Sequence, residues 1–345
     1  MYQLARSLLF RLNPETAHNL TLDMLGAGQR LGLLKLGMRK TPDAPVKVMG
    51  IDFPNPVGLA AGMDKDGDCI DAFGAMGFGF IEVGTVTPLA QPGNPSPRLF
   101  RLVEHEGIIN RMGFNNHGVE HLVGNLRKAH TNAVIGVNIG KNKITPLEKA
   151  NDDYLTCLRA VYPWAGYIAV NLSSPNTPGL RELQFGEHLR SLLSALKEEQ
   201  TALADKYGRY VPIAIKLAPD MTDDELREIA GELVACGMDG VIATNTTLER
   251  ESVASHPYST ETGGLSGAPL TSLSTAKIRV LAEALEGKLP IIGVGGIMNA
   301  GDAAEKIKAG ASLVQLYTGF IYRGPTLIAD ASEAAYLELR KMDKA

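Results

Sequence analysis

The stretch "PIAIKLAPDMTDDELREIAGELVACGMDGVIATN", residues 212–245, holds two apolar runs with a polar-faced segment between them. Residues 212–217 and 240–245 are short and rich in Ile, Val and Ala, which suits strands covered on both faces. From Thr222 the pattern becomes helical, with Thr222 as an N-cap and Glu225 three residues on as its reciprocal partner. The unit is therefore strand, helix, strand. It recurs along the chain: residues 56–60, 80–85, 134–139, 167–171, 290–296 and 312–317 have the same strand character, with helical patterns between them. Eight such alternations predict a parallel (β/α)8 barrel. A doubly wound open sheet is the alternative that periodicity leaves open.

The residues at the predicted strand ends share a chemistry. Lys65 follows the first strand, Thr85 ends the second, Asn138 the third, Asn171 the fourth and Lys216 the fifth. Thr244, Asn245 and Thr246 end the sixth, Gly293, Gly295 and Gly296 the seventh, and Tyr317, Thr318 and Gly319 the eighth. In a barrel these groups would ring one mouth. The ring has few acids and no histidine, which suits neither a metal site, nor a carboxylate-pair glycosidase, nor a Ser-His-Asp hydrolase. Amides, hydroxyls and two ammonium groups suit a flat, polar, anionic heterocycle.

"GVGGIMNAGDA" (293–303) and "YTGFIYRGP" (317–325) leave backbone N–H groups bare ahead of helices, in the loops where barrels commonly hold phosphate. Phosphate at one side and polar groups in the middle point to FMN across the mouth, with lysine stabilising the charge of reduced flavin. Two other readings stand beside this one. One is an aldolase-type lyase using Lys216 or Lys65 as a Schiff-base nucleophile. The other is a non-catalytic barrel that binds a phosphorylated ligand.

Two long connections, residues 86–116 and 246–267, follow the second and sixth strands, on the face where barrels place their sites. The first contains "RLFRLVEHEGIIN", which reads as a hairpin turning near Glu106-Gly107. The chain has 345 residues, 45% hydrophobic and 21% charged, with a net charge of −4 that argues against a general nucleic-acid binder. Cys69, Cys157 and Cys236 are scattered and odd in number, which suggests neither a disulfide framework nor a zinc site. All three fall in predicted helices as small hydrophobes.

"GLAAGMDKDG", "NRMGFNN", "NIGKNK", "NLSSPNTPGLR", "IKLAPD", "ATNTT", "TGGLSG" and "IIGVGGI" occur in this order. Together they resemble the motifs of class 2, quinone-linked dihydroorotate dehydrogenases, and the resemblance runs nearly end to end. It implies a barrel with FMN that oxidises (S)-dihydroorotate to orotate in pyrimidine biosynthesis. Carried over by position, it implies FMN contacts from Ala61, Gly62, Met63, Asp64, Lys65, Thr85, Asn138, Asn171, Lys216, Thr244, Gly267, Gly296, Tyr317 and Thr318. For substrate it implies Lys65, Asn110, Arg111, Met112, Gly113, Phe114, Asn171, Asn176, Asn245 and Thr246. Ser174 matches the catalytic base, with Thr177 or a water as candidate proton relays. Class 1 relatives use a cysteine in that loop, where this chain has none. Pro175 and Pro178 would restrict the loop and hold Ser174 near its target while it acts as part of a lid.

The N-terminus differs in character from the rest. Residues 1–47 carry a net +4 against −8 for the remainder. Residues 2–12 and 14–31 read as two helices, with Asn13 as N-cap and Pro14 at N1. Leu4, Leu8, Leu9 and Leu12 form one apolar stripe, and Ala17, Leu20, Met24, Ala27 and Leu31 another. Two helices packed on the barrel are one reading; a basic interfacial anchor is the other. The resemblance favours the anchor, with a respiratory quinone entering between the helices and His18 and Arg101 as polar groups at the entrance. No apolar run reaches the roughly 18 residues of a transmembrane helix. The expected organisation is a helical membrane and quinone-entry segment over 1–40 and an FMN-binding catalytic barrel over 46–340. The expected location is peripheral, on the cytoplasmic face of a bacterial inner membrane.

Overall fold

A computed structural model describes residues 2–32, 34 and 40–342. Met1, Leu33 and residues 35–39, all within the expected 1–40 segment, lie outside the described residues, as do residues 343–345. The strands are β1 (Val57–Leu59), β2 (Phe80–Val86), β3 (Val134–Ile139), β4 (Tyr167–Asn171), β5 (Ile213–Leu217), β6 (Gly240–Ala243), β7 (Ile291–Val294) and β8 (Leu313–Leu316). They pair in parallel and close into one barrel, each of the eight coinciding with an expected run. The open-sheet alternative is therefore excluded.

Two helices precede the barrel, α1 (Tyr2–Leu9) and α2 (Pro14–Arg30). Helices α3 (Ile70–Ala75), α4 (Val119–Leu126), α5 (Ala150–Val161), α6 (Gly186–Tyr207), α7 (Asp223–Ala235), α8 (Thr271–Leu285) and α9 (Ala300–Lys308) each follow one strand. After β8 come the short α10 (Thr318–Arg323) and then α11 (Thr326–Met342). Local sequence chemistry accounts for three of the helix starts. Thr222 and Glu225 form a reciprocal capping box on α7, and Asn299 and Asp302 one on α9. The Asn13 side chain accepts from the Glu15 and Thr16 amides at the start of α2.

Strand alternation divides the core in two. Outward residues such as Ile81, Val83, Val137, Ile168, Ile213 and Ile215 pack with the helices in one apolar cluster. Inward residues Phe80, Tyr167, Ala169, Ala214, Ile242, Ile292 and Leu313 fill the barrel. Gly58 and Gly136 make room for the inward rings: a Cβ there would come within 2.3 Å of Phe80 and 2.2 Å of Tyr167. A hairpin, Val46–Val48 with Ile51–Phe53, places Val48 and Phe53 in the same inner cluster and seals the end of the barrel where the strands begin.

The two long connections meet. Leu99–Leu102 and Gly107–Asn110 form the expected hairpin, with Glu106 at φ 47° in its turn. Gly264–Gly267, from the second connection, pairs antiparallel with Gly107–Asn110 as a third strand. The result is a small sheet standing beside the mouth of the barrel.

Candidate active site

The cavity lies at the C-terminal ends of the barrel strands and comprises about 1000 Å³ of space free of protein atoms, counted out to its mouth. Its wall includes Ala61, Gly62, Lys65, Thr85, Asn171, Lys216, Thr244, Gly267, Gly296, Tyr317 and Thr318 from the residues expected at the flavin. From those expected at the substrate it includes Asn110, Met112, Gly113, Phe114, Asn176, Asn245 and Thr246, and Ser174 lies among them. Residues spread from 61 to 318 thus meet at one place because the barrel brings every strand end to the same rim.

Six of the expected positions stand off this wall. Met63 is buried among the outer-cluster residues. Asp64 accepts from the Asp68 and Cys69 amides at 2.8 and 2.9 Å, and burial pushes its carboxyl up to about 6. Asn138 is fully buried one layer beneath the cavity. The Arg111 guanidinium turns outward to Glu261 at 2.7 Å and lies over the Phe100 ring. Arg101 is committed to the carbonyls of Phe10 and Leu12 at 2.8 and 3.0 Å and covers the Phe10 ring, so it clasps the α1–α2 turn. His18 stands on α2 close enough to feel the charge of Lys65; burial first, and that charge second, hold its imidazole neutral with a pKa of about 3.

The floor of the site is a polar layer that joins the expected Thr85, Asn138, Asn171 and Lys216 to Glu82, Tyr167 and Gln315, which sequence reasoning missed. Glu82 on β2 is fully buried and pairs with the Lys216 ammonium at 3.2 Å. The same carboxylate accepts from Asn138 Nδ2 at 2.8 Å, Tyr167 OH at 2.9 Å and Gln315 Nε2 at 2.7 Å. Four donors from four strands satisfy one carboxylate, which is the condition for keeping a charge inside a protein. Above it Thr85 Oγ1 donates to Asn138 Oδ1 at 2.5 Å, and Asn171 Nδ2 donates to Thr85 Oγ1 at 3.0 Å. The signal for this layer was a Glu inside the apolar "FIEVGT" and a Gln inside "SLVQLY".

The loop leaving β4 carries Ser174, the residue expected as base. Ser174 is buried, and its Oγ accepts from the Asn176 amide at 3.2 Å. Asn176 is held in turn: its Nδ2 donates to the Asn110 carbonyl at 3.1 Å, and its own carbonyl accepts from Asn94 at 3.2 Å. Asn245 Nδ2 donates to Ser173 Oγ at 3.0 Å, joining the ends of β4 and β6. Lys65 has its pKa held down to about 8 by desolvation, the nearby acids offsetting part of this. It presents a cation to the cavity.

The wall fits a phosphorylated heterocycle. Gln315 Oε1 is a buried acceptor with no protein partner, on a cavity whose polar lining is neutral donors and acceptors and two ammonium groups, beside apolar side chains such as Leu270, Val294 and Ile297. At the other side the turn after β7 is bare backbone: a Cβ on Gly296 would lie 2.4 Å from the Thr271 amide.

Fold and site together define a β/α-barrel enzyme that works on a small molecule at the C-terminal ends of its strands. The family profile of dihydroorotate dehydrogenase matches residues 44–334, and the chain belongs to that family. It is 62% identical over 334 residues to the dihydroorotate dehydrogenase (quinone) of Pseudomonas aeruginosa, covering 97% of this chain and 98% of that protein. The protein of the same name from Marinobacter nauticus is 60% identical over 339 residues, covering 98% and 100%. Among solved structures, the Eimeria tenella dihydroorotate dehydrogenase in complex with ferulenol superposes with a TM-score of 0.88 at 39% identity, covering 96% of this chain and 93% of that one.

Proposed function

We propose that this chain oxidises (S)-dihydroorotate to orotate in pyrimidine biosynthesis, holding FMN in the barrel mouth and passing the electrons to a membrane quinone. The observation that carries the reading is the convergence of Ser174, Lys65, Lys216 and the amides of Asn110, Asn171, Asn176 and Asn245 on one cavity. When bound, FMN would accept the hydride leaving C6 of the substrate and release the electrons to the quinone.

The chain's own residues do the rest. Lys65 pairs with the substrate carboxylate. Asn110, Asn176, Asn245 and Thr246 offer donors and acceptors to the ring amides, which fixes the substrate's face. Ser174 Oγ takes the proton from C5, and the buried loop around it excludes water. Thr177, one candidate relay, is buried in the same loop, while the hydrogen bond given to Ser174 Oγ comes from Asn176. Lys216, anchored by Glu82, would supply positive charge to a flavin held in the cavity. Asn171 bridges the flavin and substrate sides. The bare turn after β7 and the start of α10 take the phosphate.

The N-terminal helices serve the second half of the reaction. Leu4, Leu8, Met24 and Leu31 are 75, 64, 62 and 71% exposed, and Arg11 and Arg30 stand exposed nearby in sequence, as an interfacial anchor requires. Among the described residues, no helix is long and apolar enough to cross a membrane. α1 rests on α10 through Tyr2 OH to the Ile321 carbonyl at 2.5 Å and Arg6 to the Tyr322 carbonyl at 2.9 Å. α2 is tied to the loop after β2 by Glu15 and Arg98 at 2.5 Å. The anchor therefore sits against elements that border the cavity. Our reading puts it at the cytoplasmic face of a bacterial inner membrane.

The test is an anaerobic titration of the purified chain. Dihydroorotate bleaches the flavin band, and a quinone restores it. A colourless protein that borohydride traps with a substrate adduct would establish the lyase reading in its place. A yellow protein that dihydroorotate leaves unbleached would favour the non-catalytic one.

A further inference from the structure

The turn that leaves β7 lies against the start of α8. Thr271 Oγ1 donates to the Gly296 carbonyl at 2.6 Å, and Ser274 Oγ donates to the Gly295 carbonyl at 2.8 Å. In a trans peptide the C=O and N–H lie in one plane and point in opposite directions. With both carbonyls held against α8, the amides of Gly296 and Ile297 are turned the other way, toward the cavity those residues line. Gly295 and Gly296 reach this arrangement at φ 116° and 70°, where a side chain would be strained.

Behind the two hydroxyls is Lys306, on α9, with no exposed surface. Its Nζ donates to the Thr271 carbonyl at 2.9 Å, to Ser274 Oγ at 2.5 Å and to Thr275 Oγ1 at 2.6 Å. Thr275 Oγ1 has its own hydrogen on the Thr271 carbonyl at 2.8 Å, as Ser274 has on Gly295, so each hydroxyl has only lone pairs left for the lysine. Three acceptors use all three hydrogens of an ammonium, and all three are neutral. Burial pulls the group down to about 7, with Asp302 offsetting part of the effect. A buried cation among neutral partners is costly, and an anion close by relieves that cost.

We propose that Lys306 is a positioning residue for the flavin phosphate. Through Ser274 and the Gly295 carbonyl it aims and polarises the Gly296 N–H, and it supplies the buried positive charge that the phosphate answers. This rests on the reading of the bound group as FMN. Lys306 is not among the residues that line the cavity. Its effect is confined to the phosphate end, so it separates FMN from riboflavin, the same ring system without phosphate.

The experiment compares both flavins on the full-length chain after FMN removal, by quenching of flavin fluorescence. Lys306→Met is expected to weaken FMN by about tenfold or more, the scale of a lost charge-assisted interaction, while riboflavin stays within about twofold. Ser274→Ala keeps the lysine but cuts the link, and is expected to give a smaller loss of the same selectivity. It carries the test if Lys306→Met does not fold. Equal losses for both flavins, or unchanged FMN affinity in the variants, overturn the proposal. Failure of the unmodified chain to bind FMN more tightly than riboflavin would overturn the FMN reading instead, and is seen before any variant is made.

Discussion

Replacing Ser174 by alanine separates catalysis from binding, and the structure gives the size of each effect. The hydroxyl accepts one neutral hydrogen bond, from the Asn176 amide at 3.2 Å. Losing such a bond costs about 1 kcal/mol, or roughly fivefold in an equilibrium constant. Asn176 keeps its bonds to Asn110 and Asn94, so the amide proposed to hold the ring stays in place. Removing a general base costs about 10² to 10⁴ in rate, equivalent to roughly 3 to 5 kcal/mol of barrier. The rate effect should therefore exceed the binding effect by at least about tenfold. Anaerobic stopped-flow mixing with dihydroorotate measures flavin bleaching, and orotate titration of the flavin spectrum measures binding. A bleaching rate within about tenfold of the unmodified chain would remove Ser174 as base. An orotate affinity that falls as far as the rate would make its role one of binding.

Three other outcomes are expected. Lys216→Met leaves the buried Glu82 carboxylate with three donors instead of four, and should destabilise the chain by about 3 to 5 kcal/mol in urea unfolding. The double variant with Glu82→Gln should recover part of this, and simple additivity would refute the pairing. Lys65, held at about 8, is charged below that pH and neutral above it, so orotate affinity should fall as pH rises through about 8. Lys65→Met should flatten the profile, and an unchanged slope would assign the titration elsewhere. Deleting residues 1–40 should abolish quinone reduction and co-sedimentation with anionic vesicles but spare bleaching by dihydroorotate; full quinone turnover by the shortened chain would refute the anchor.

The barrel was legible because each buried strand is an apolar run of limited length, and some of the helices between announce themselves by caps, as α7 does through Thr222 with Glu225. The rim was legible because turn-forming amides and hydroxyls recur at strand ends, and the family motifs added their order. Other features were hidden for physical reasons. Gly264–Gly267 has little strand propensity and pairs only because the hairpin beside it offers an edge. Glu82 and Gln315 are polar residues in apolar runs, and Lys306 is one charge among several in "AGDAAEKIK"; their partners lie far off in the chain, so their roles exist only after folding. Arg101 and Arg111 were placed near the right loops, but long side chains reach in directions that sequence does not specify; one holds Phe10 and the other Glu261. The cysteines sit near the expected helices, with Cys157 inside α5 and Cys69 and Cys236 capping the ends of α3 and α7.

The hairpin that plugs the far end of the barrel makes the molecule a blind well. Everything that arrives or departs must cross the same rim, so the opposite pole carries no traffic. Lys47 stands exposed on that plug. Chemical coupling of the chain to a bead or an electrode through this residue would orient every copy with its working face outward, toward whatever solution or lipid film is laid over it.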